Sequence, residues 1–288
     1  MMNASTTTTQ KAKTQAGFPP APSEAHQKAN FKKDTVDFQA LLTQALTQPG
    51  QLSTAYKAFH NFSILNQALA FKQCLERGLQ VSPLASFNSW KEKGRMVQKG
   101  QKAISLFMPL TKKIEAETEQ GKTEEKSRTF FALKPHWFVL SQTEGNEAEF
   151  PALPAWNLSC ALEFLDVEKV DFEMMNGNCQ GYATARKIAV NPVAAFPLKT
   201  AIHEMAHVLL GHTTEADCAD SELTPRNIAE VEAEAVAYIV TSILGTPGQE
   251  SSRAYIQGWL GSEPITDQSI RKIFACADKI MKAGQQSN

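Results

Sequence analysis

A His-Glu-x-x-His motif, running from His203 to His207, lies within an apolar segment that has the character of a buried helix. Residues four apart on a helix share one face, so His203 and His207 can both direct a ring nitrogen at one metal ion. Glu204 lies about 100° further round the same turn, where its carboxylate can take a proton from a water held by that metal. This arrangement is typical of metal-dependent hydrolysis of a peptide bond.

The residues around the motif favour a helix that is buried and then stops. The apolar flank consists of Ile202, Met205, Ala206, Val208, Leu209 and Leu210. Gly211 follows as a predicted helix stop. His212 is not expected to be a further ligand, because the longer motif HExxHxxGxxH needs glycine and histidine where this chain has Leu210 and Thr213. We expect His212 to be a helix-end residue.

The third metal ligand is expected on a second helix, predicted over residues 226–244. This segment is apolar nearly all round and yet carries Glu230, Glu232 and Glu234. Acids on such a helix cost free energy unless something positive meets them, and a zinc ion would do so. Glu230 and Glu234 share a face because they are four residues apart, whereas Glu232 points roughly the other way. The pair can supply one ligand and one carboxylate that orients a ligand histidine, and the spacing leaves open which is which.

The pattern of elements along the chain predicts an α+β protein with two domains after a disordered tail. The tail, residues 1–30, is rich in Thr, Gln, Ala and Pro. Residues 31–147 form the first predicted domain, in which residues 52–79 have the apolar spacing of one long helix. A proline-containing boundary separates it from a second domain over residues 151–288, which holds the HExxH helix and the glutamate-bearing helix.

The composition of the chain indicates the cellular compartment in which it works. No run approaches the roughly 18 apolar residues of a membrane span, so no membrane association is expected. The 5 cysteines are scattered and include no CxxC pair, which indicates neither a disulfide framework nor a cysteine zinc site. We therefore expect a cytoplasmic protein.

The net charge of −1 hides a local basic cluster with aromatic neighbours. Between Lys91 and Lys113 there are 7 basic residues against Glu92 alone. Cations that meet phosphates and aromatic faces that meet bases are the combination used by single-stranded nucleic acid binders. The alternative interpretation is a solvated lysine face beside a tryptophan that belongs to the core. The candidate DNA-binding residues are Trp90, Lys91, Lys93, Arg95, Lys99 and Lys102.

Several motifs in both halves of the chain together resemble one known family. Those of the N-terminal half are Phe59-His60-Asn61-Phe62-Ser63-Ile64-Leu65-Asn66, the segment from Ser89 to Ile104, and Val139-Leu140-Ser141-Gln142-Thr143-Glu144-Gly145. Those of the C-terminal half are Lys187-Ile188-Ala189-Val190-Asn191-Pro192, the segment from Lys199 to His207, and Glu230-Val231-Glu232-Ala233-Glu234. With these motifs in the expected order over roughly residues 31–244, the chain resembles the ArdC-type antirestriction proteins.

The resemblance implies a single-stranded-DNA-binding domain joined to a zincin-like metallopeptidase domain, carried by plasmids, phages and other mobile elements. Such proteins are associated with protecting incoming DNA from restriction. Carried over by position, His203, His207 and Glu230 match the metal ligands and Glu204 the catalytic acid, with Zn²⁺ as the cofactor. Glu234 then becomes the orienting carboxylate or the alternative ligand. The implied partners are single-stranded DNA and an unidentified protein substrate.

Three functions are compatible with these residues. The first is a zinc-dependent peptidase guided to its target by DNA binding. The second is a non-catalytic shield of single-stranded DNA in which zinc only holds the second domain together. An intact Glu204 favours the first, because a structural zinc site would not need it. A repressor-cleaving regulatory protease would use the same site and differ only in its substrate.

Overall fold

The computed structural model describes residues 36–117, 123–173, 178–213, 225–260 and 265–285. The predicted tail over residues 1–30 lies outside this part of the chain. All the described residues belong to one compact unit, which begins at Val36.

Three helices open the described chain: α1 (Phe38–Thr47), α2 (Gln51–Phe59) and α3 (Ile64–Glu76). The single long helix predicted over residues 52–79 is therefore wrong. The Ser63 hydroxyl accepts a hydrogen bond from the Asn66 amide at 3.4 Å, which caps the N-terminus of α3 and makes a second helix start there. Apolar spacing continues across the break because both helices face the same core.

A long β-hairpin dominates the next part of the chain. The elements are β1 (Leu84–Ser86), α4 (Phe87–Glu92), β2 (Arg95–Val97), β3 (Ile104–Glu117), β4 (Thr123–Val139), a 3-10 turn (Leu140–Gln142) and β5 (Thr143–Gly145). Strands β3 and β4 pair antiparallel, and β1 pairs with the other edge of β4. The inner end of the hairpin contacts the core through Phe107 and Leu133, which face each other across the two strands.

The described residues of the remainder combine a small mixed sheet with five helices. The elements are α5 (Leu158–Phe164), β6 (Glu168–Val170), β7 (Gly181–Thr184), β8 (Lys187–Val190), α6 (Pro197–Leu210), α7 (Arg226–Leu244), α8 (Gln249–Leu260) and α9 (Asp267–Ala283). Strand β8 lies between β6, to which it is parallel, and β7, to which it is antiparallel. Helix α6 ends at Gly211 in the left-handed conformation (φ 81°), as predicted. The α+β class is confirmed.

Helix α7 is the central element of the core. It contacts α6, α8 and α9 from its own part of the chain, and also α1 and α2. Helix α9 also joins the two parts of the chain through its contacts with α1 and α3. The Ile64 amide of α3 donates to Asp278 Oδ1 of α9 at 3.2 Å, and the Arg271 guanidinium of α9 lies 4.3 Å from the centre of the Phe38 ring of α1. The helices on both sides of the predicted boundary at residues 151–154 thus share one hydrophobic core, and the division into two domains stays a prediction. None of the described helices is long and apolar enough to cross a membrane.

The Asp278 carboxylate should stabilise the junction between α3 and α9. Asp278→Ala removes the acceptor that meets the first amide of α3, and we expect the free energy of unfolding to fall by about 1–2 kcal/mol. Urea denaturation measures this change. Lys282→Ala is the matched control, because it removes the ion pair between a mostly exposed lysine and Asp278 but leaves the Ile64 contact in place, and it should cost less than about 0.5 kcal/mol. Equal losses in the two variants would show that the Ile64 contact contributes nothing.

Candidate metal centre

Three side chains from α6 and α7 converge on one point. The Nε2 atoms of His203 and His207 lie 3.1 Å apart. Glu230 Oε2 lies 3.5 Å from Nε2 of His203 and 3.7 Å from Nε2 of His207. Among the described residues these three form a candidate metal-binding group, with all ligand atoms within 4.8 Å of one another. The four-residue spacing of the histidines on α6 produces this convergence, as the sequence predicted.

The separations fit a divalent metal ion. Zinc ligands lie about 2.0–2.1 Å from the metal at near-tetrahedral angles, which puts neighbouring ligand atoms about 3.3–3.4 Å apart. The three observed distances, 3.1, 3.5 and 3.7 Å, bracket that value. Two nitrogens and one carboxylate oxygen leave a fourth position open, which is the pattern of catalytic rather than structural zinc sites.

Glu204 lies beside this group and is held against the small sheet. Its side chain is buried, and burial raises the pKa of its carboxyl above the ordinary value. Strand β7 passes so close that a Cβ on Gly181 would lie 2.6 Å from Thr200 Cγ2 and 3.1 Å from Glu204 Oε1. A side chain at this position would clash, so Gly181 permits the close approach of the strand to α6 and the Glu204 carboxylate.

Glu234 contacts His203, one of the candidate ligands, on the ring nitrogen that faces away from the other two. Its Oε2 lies 2.9 Å from Nδ1 of His203, and its Oε1 lies 2.7 Å from the Lys199 ammonium. Burial opposes ionisation of Glu234, but the hydrogen bonds from His203 and Lys199 outweigh it and lower the pKa to about 2. The structure thus brings Glu230 to the metal-facing Nε2 atoms and Glu234 to the opposite ring nitrogen of His203, which is the geometry of an orienting carboxylate.

Sequence reasoning missed the role of Glu232 and His212. Glu232 faces away from Glu230 and Glu234, as predicted. It is buried, and its carboxylate contacts a histidine that lies next to the candidate ligand group. Its Oε2 lies 3.0 Å from Nε2 of His212, and Nδ1 of His212 lies 3.1 Å from Nδ1 of His207. Burial opposes ionisation of Glu232, and hydrogen bonds from His212 and Ser269 lower its pKa. His212 stands outside the candidate ligand group, as expected, yet it contacts His207, which belongs to that group.

The two carboxylates around His203 control its protonation. Burial favours the neutral imidazole, but hydrogen bonds to Glu230 and Glu234 outweigh it and raise the pKa of His203 to about 9. The same hydrogen bonds, with that of His207, lower the pKa of Glu230 far below its usual range. His203 therefore keeps both of its ring protons to a higher pH than an ordinary imidazole.

A cleft of about 680 Å³ opens in front of these groups. Strand β7 forms one wall, with Tyr182 and Ala183 lining it. Among the described strands, β7 pairs with β8 alone, so its other edge is unpaired. The cleft thus combines a metal-ligand group, a buried carboxylate and an open strand edge.

The predicted DNA-binding residues are only partly available at the surface. Lys91, Lys93, Lys99 and Lys102 are exposed. Trp90 is fully buried, and its indole nitrogen donates to the Phe138 carbonyl at 2.8 Å, so it cannot stack on a base and its place in the predicted set is wrong. The Arg95 guanidinium is occupied by hydrogen bonds to Thr143 Oγ1 and to the carbonyls of residues 143, 145 and 146.

An exposed aromatic side chain missed at the sequence level lies on the long hairpin. Phe130 is 44% exposed and pairs with Leu110. The next pair along the same face is Lys112 with Arg128, and both side chains are exposed. The period-two spacing of Arg128, Phe130 and Lys134 in a strand could have indicated this surface.

Comparison with known proteins identifies the N-terminal part of the chain. Residues 42–137 match the family described as the N-terminal domain of anti-restriction factor ArdC. This match confirms the resemblance to ArdC-type proteins that the sequence motifs indicated.

Similarity to individual proteins is low throughout. The chain is 25% identical over 283 residues to the uncharacterised protein pXO2-81 of Bacillus anthracis, which covers 80% of this chain and 46% of that protein. This chain thus spans less than half the length of that relative. Two crystal structures of the antirestriction ArdC protein from plasmid R388 are also similar. The metal-free form has 20% identity and a TM-score of 0.49, covering 87% of this chain and 96% of that one. The Mn(II)-bound form has 19% identity and a TM-score of 0.49, covering 88% and 100%.

Metal binding at this site should strengthen as pH rises. His203 must lose a proton before its Nε2 can ligate, whereas Glu230 is already ionised. Because the pKa of His203 is raised to about 9, the neutral fraction grows about tenfold per pH unit below that value. We expect affinity to rise accordingly between about pH 6 and 8, and about one proton to be released per metal at pH 7. Calorimetric titration of Zn²⁺ in buffers of different protonation enthalpy measures that proton, and binding without proton release would contradict the prediction.

Proposed function

We propose that this chain, which belongs to the ArdC-type antirestriction proteins through its N-terminal domain, is a zinc-dependent peptidase that also binds single-stranded DNA. The observation that carries the peptidase proposal is the placement of Glu204 beside a two-histidine, one-glutamate ligand group that faces an open cleft. A structural metal site is closed by four protein ligands and needs no such carboxylate. Zinc is the preferred metal because this ligand set is that of catalytic zinc sites.

His203, His207 and Glu230 would hold the metal, and Glu204 would move the proton. When bound, zinc supplies Lewis acidity toward a carbonyl oxygen and lowers the pKa of water. The Glu204 carboxylate takes a proton from the attacking water as the new C–O bond forms. It then gives that proton to the amine nitrogen as the peptide C–N bond breaks. Its raised pKa suits a group that must both accept and return a proton near neutral pH.

The open edge of β7 supports a polypeptide as the substrate. An extended peptide can add to a free strand edge through main-chain hydrogen bonds, which hold it without regard to most of its side chains. Strand β7 begins at Gly181, in contact range of Thr200 and Glu204. A peptide paired with this edge would therefore run past the proton-transferring carboxylate.

Replacing Glu204 should separate metal binding from hydrolysis. Glu204→Gln keeps the three ligands and the size of the side chain but cannot accept a proton, so we expect unchanged zinc content and at least about a 100-fold loss of peptide hydrolysis. Zinc content is measured by atomic emission, and hydrolysis with fluorescein-labelled casein in the presence and absence of single-stranded DNA. Glu144→Gln, an exposed acid on β5, is the matched control and should cleave like the wild type.

The same assay tests the alternative function. A wild-type protein that holds zinc and binds DNA but cleaves nothing would favour the non-catalytic shield. Glu204→Gln cleaving as fast as wild type would mean that another group is the base. Cleavage of a repressor of mobile-element genes, with the same dependence on Glu204, would identify the protein as a regulatory protease.

The DNA-binding half of the proposal rests on the outer part of the β3–β4 hairpin. We define the Phe130 face as the exposed side chains of Lys112, Arg128, Phe130 and Lys134, which share one side of the hairpin by their register. Phe130 can stack on an unpaired base, and the three cations beside it can meet phosphates. This face lies within the residues matched to the ArdC N-terminal family, and it supplies the exposed aromatic ring that Trp90 cannot.

Phe130→Ala should weaken binding to single strands more than binding to duplex. A stacked base contributes about 1–3 kcal/mol, which corresponds to a loss of about 5- to 150-fold in affinity for single-stranded DNA. Fluorescence anisotropy with a labelled oligonucleotide measures this in the full-length protein. Phe131→Ala is the matched control, because Phe131 is 68% exposed on the opposite face of the same strand. Suppose that Phe130→Ala leaves the affinity unchanged and that changing Lys91, Lys93 and Lys99 to Glu lowers it. The DNA-binding surface would then be the one formed by those lysines and not the Phe130 face.

A further inference from the structure

His212 and Glu232 form a buried pair directly behind the metal ligand His207. Only 4% of the His212 side chain and 2% of the Glu232 side chain are exposed. Glu232 comes from α7, whereas His212 comes from the turn that follows α6. Burying a carboxylate and an imidazole costs free energy unless each polar atom is matched by a partner. Here the partners are known for both ring nitrogens of His212: Glu232 on one side and His207 on the other.

The atoms in contact determine the direction of both hydrogen bonds when a metal is held. Nε2 of His207 faces the metal position, so the ring proton of His207 must be on Nδ1. That Nδ1 lies 3.1 Å from Nδ1 of His212, which must then accept the hydrogen bond. His212 is left with its proton on Nε2, from which it donates to Glu232 Oε2 at 3.0 Å. One tautomer of each ring satisfies the whole chain of contacts.

We infer that His212 and Glu232 are positioning residues for His207, which orient its ring and increase its affinity for the metal through two consecutive hydrogen bonds. This inference rests on the metal site of the proposed function. A ligand histidine commonly donates its second ring nitrogen to a carboxylate, and Glu234 contacts His203 in that direct way. For His207 the carboxylate acts through a second imidazole. The two ligand histidines are thereby oriented by different glutamates of the same helix.

Metal affinity distinguishes this role from a purely structural one. His212→Phe fills the same space but can neither accept from His207 nor donate to Glu232, and we expect Zn²⁺ affinity to fall about 10- to 100-fold. His212→Gln should restore affinity to within about threefold of wild type, because its amide can accept from one neighbour and donate to the other. Competition titration with a chromophoric chelator at constant pH measures all three proteins.

A neighbouring variant controls for changes in the turn itself. The Thr213 hydroxyl donates to the Ala185 carbonyl at 2.7 Å, so Thr213→Ala removes a hydrogen bond from the same turn without touching His207. We expect it to lower the free energy of unfolding but to leave Zn²⁺ affinity unchanged. If His212→Phe fails to fold, Glu232→Met serves instead, because it keeps the length of the side chain and removes the acceptor for His212 Nε2. Affinity within about threefold of wild type in the folded variant would overturn the inference.

The tautomers provide a second measurement that does not depend on substitution. Long-range ¹⁵N–¹H correlation spectra of the zinc-loaded protein should show His207 protonated at Nδ1 and His212 protonated at Nε2. A proton on Nδ1 of His212 would reverse the contact and overturn the inference. Failure of this inference can be distinguished from failure of the peptidase proposal. A protein that binds zinc, loses affinity in His212→Phe and cleaves nothing would contradict the peptidase alone, whereas a wild type that binds no metal would overturn both proposals.

Discussion

The interface between α6 and α7 is the feature on which the rest of the candidate site depends. Helix α7 is buried on most sides and nevertheless carries three glutamates within five residues. Each of them meets an imidazole: Glu230 faces His203 and His207, Glu234 faces His203, and Glu232 faces His212. These contacts offset the cost of burying carboxylates, and they also hold the ligand nitrogens at a spacing that suits a divalent ion. Stability of the helix pair and geometry of the metal group therefore have a common cause.

The charge of this interface explains why metal and proton compete for it. Glu230 and Glu234 both contact His203, and the Lys199 ammonium contacts Glu234, so the two carboxylates favour a proton on His203. A divalent ion can replace that proton and contribute more positive charge at the same place. Glu204 differs from the other acids because burial raises its pKa, whereas hydrogen bonds from imidazoles lower the pKa of each of the three glutamates on α7. The environment thus separates one carboxyl group with a raised pKa from three whose pKa is lowered.

The sequence predicted the parts of the site that depend on helical spacing and missed the parts that depend on tertiary contacts. The i, i+4 spacing of His203 and His207 brought their nitrogens together, and the stop at Gly211 followed from a local conformational preference. His212 and Glu232 are 20 residues apart, and only the packing of the turn against α7 joins them. The sequence also did not show which aromatic side chains are exposed. Trp90 and Phe130 are both aromatic residues near basic residues, yet Trp90 is buried and Phe130 is exposed. The break between α2 and α3 was missed because the apolar spacing continues through the capping residue Ser63.

The shared core bears on how DNA binding could influence the metal centre. The hairpin contacts α3 through hydrogen bonds from Asn66 and Gln73 to its first strand, and α3 in turn packs against α9. Helix α9 contacts α7, and Ser269 on α9 donates to Glu232. A continuous series of packed elements therefore runs from the hairpin to the carboxylate behind His207. Such continuity is a route for coupling only if some element in it has two arrangements that DNA and metal favour differently. The α9 contact with Glu232 is the step at which such an effect would reach the metal ligands, because movement there changes the second of the two hydrogen bonds that orient His207.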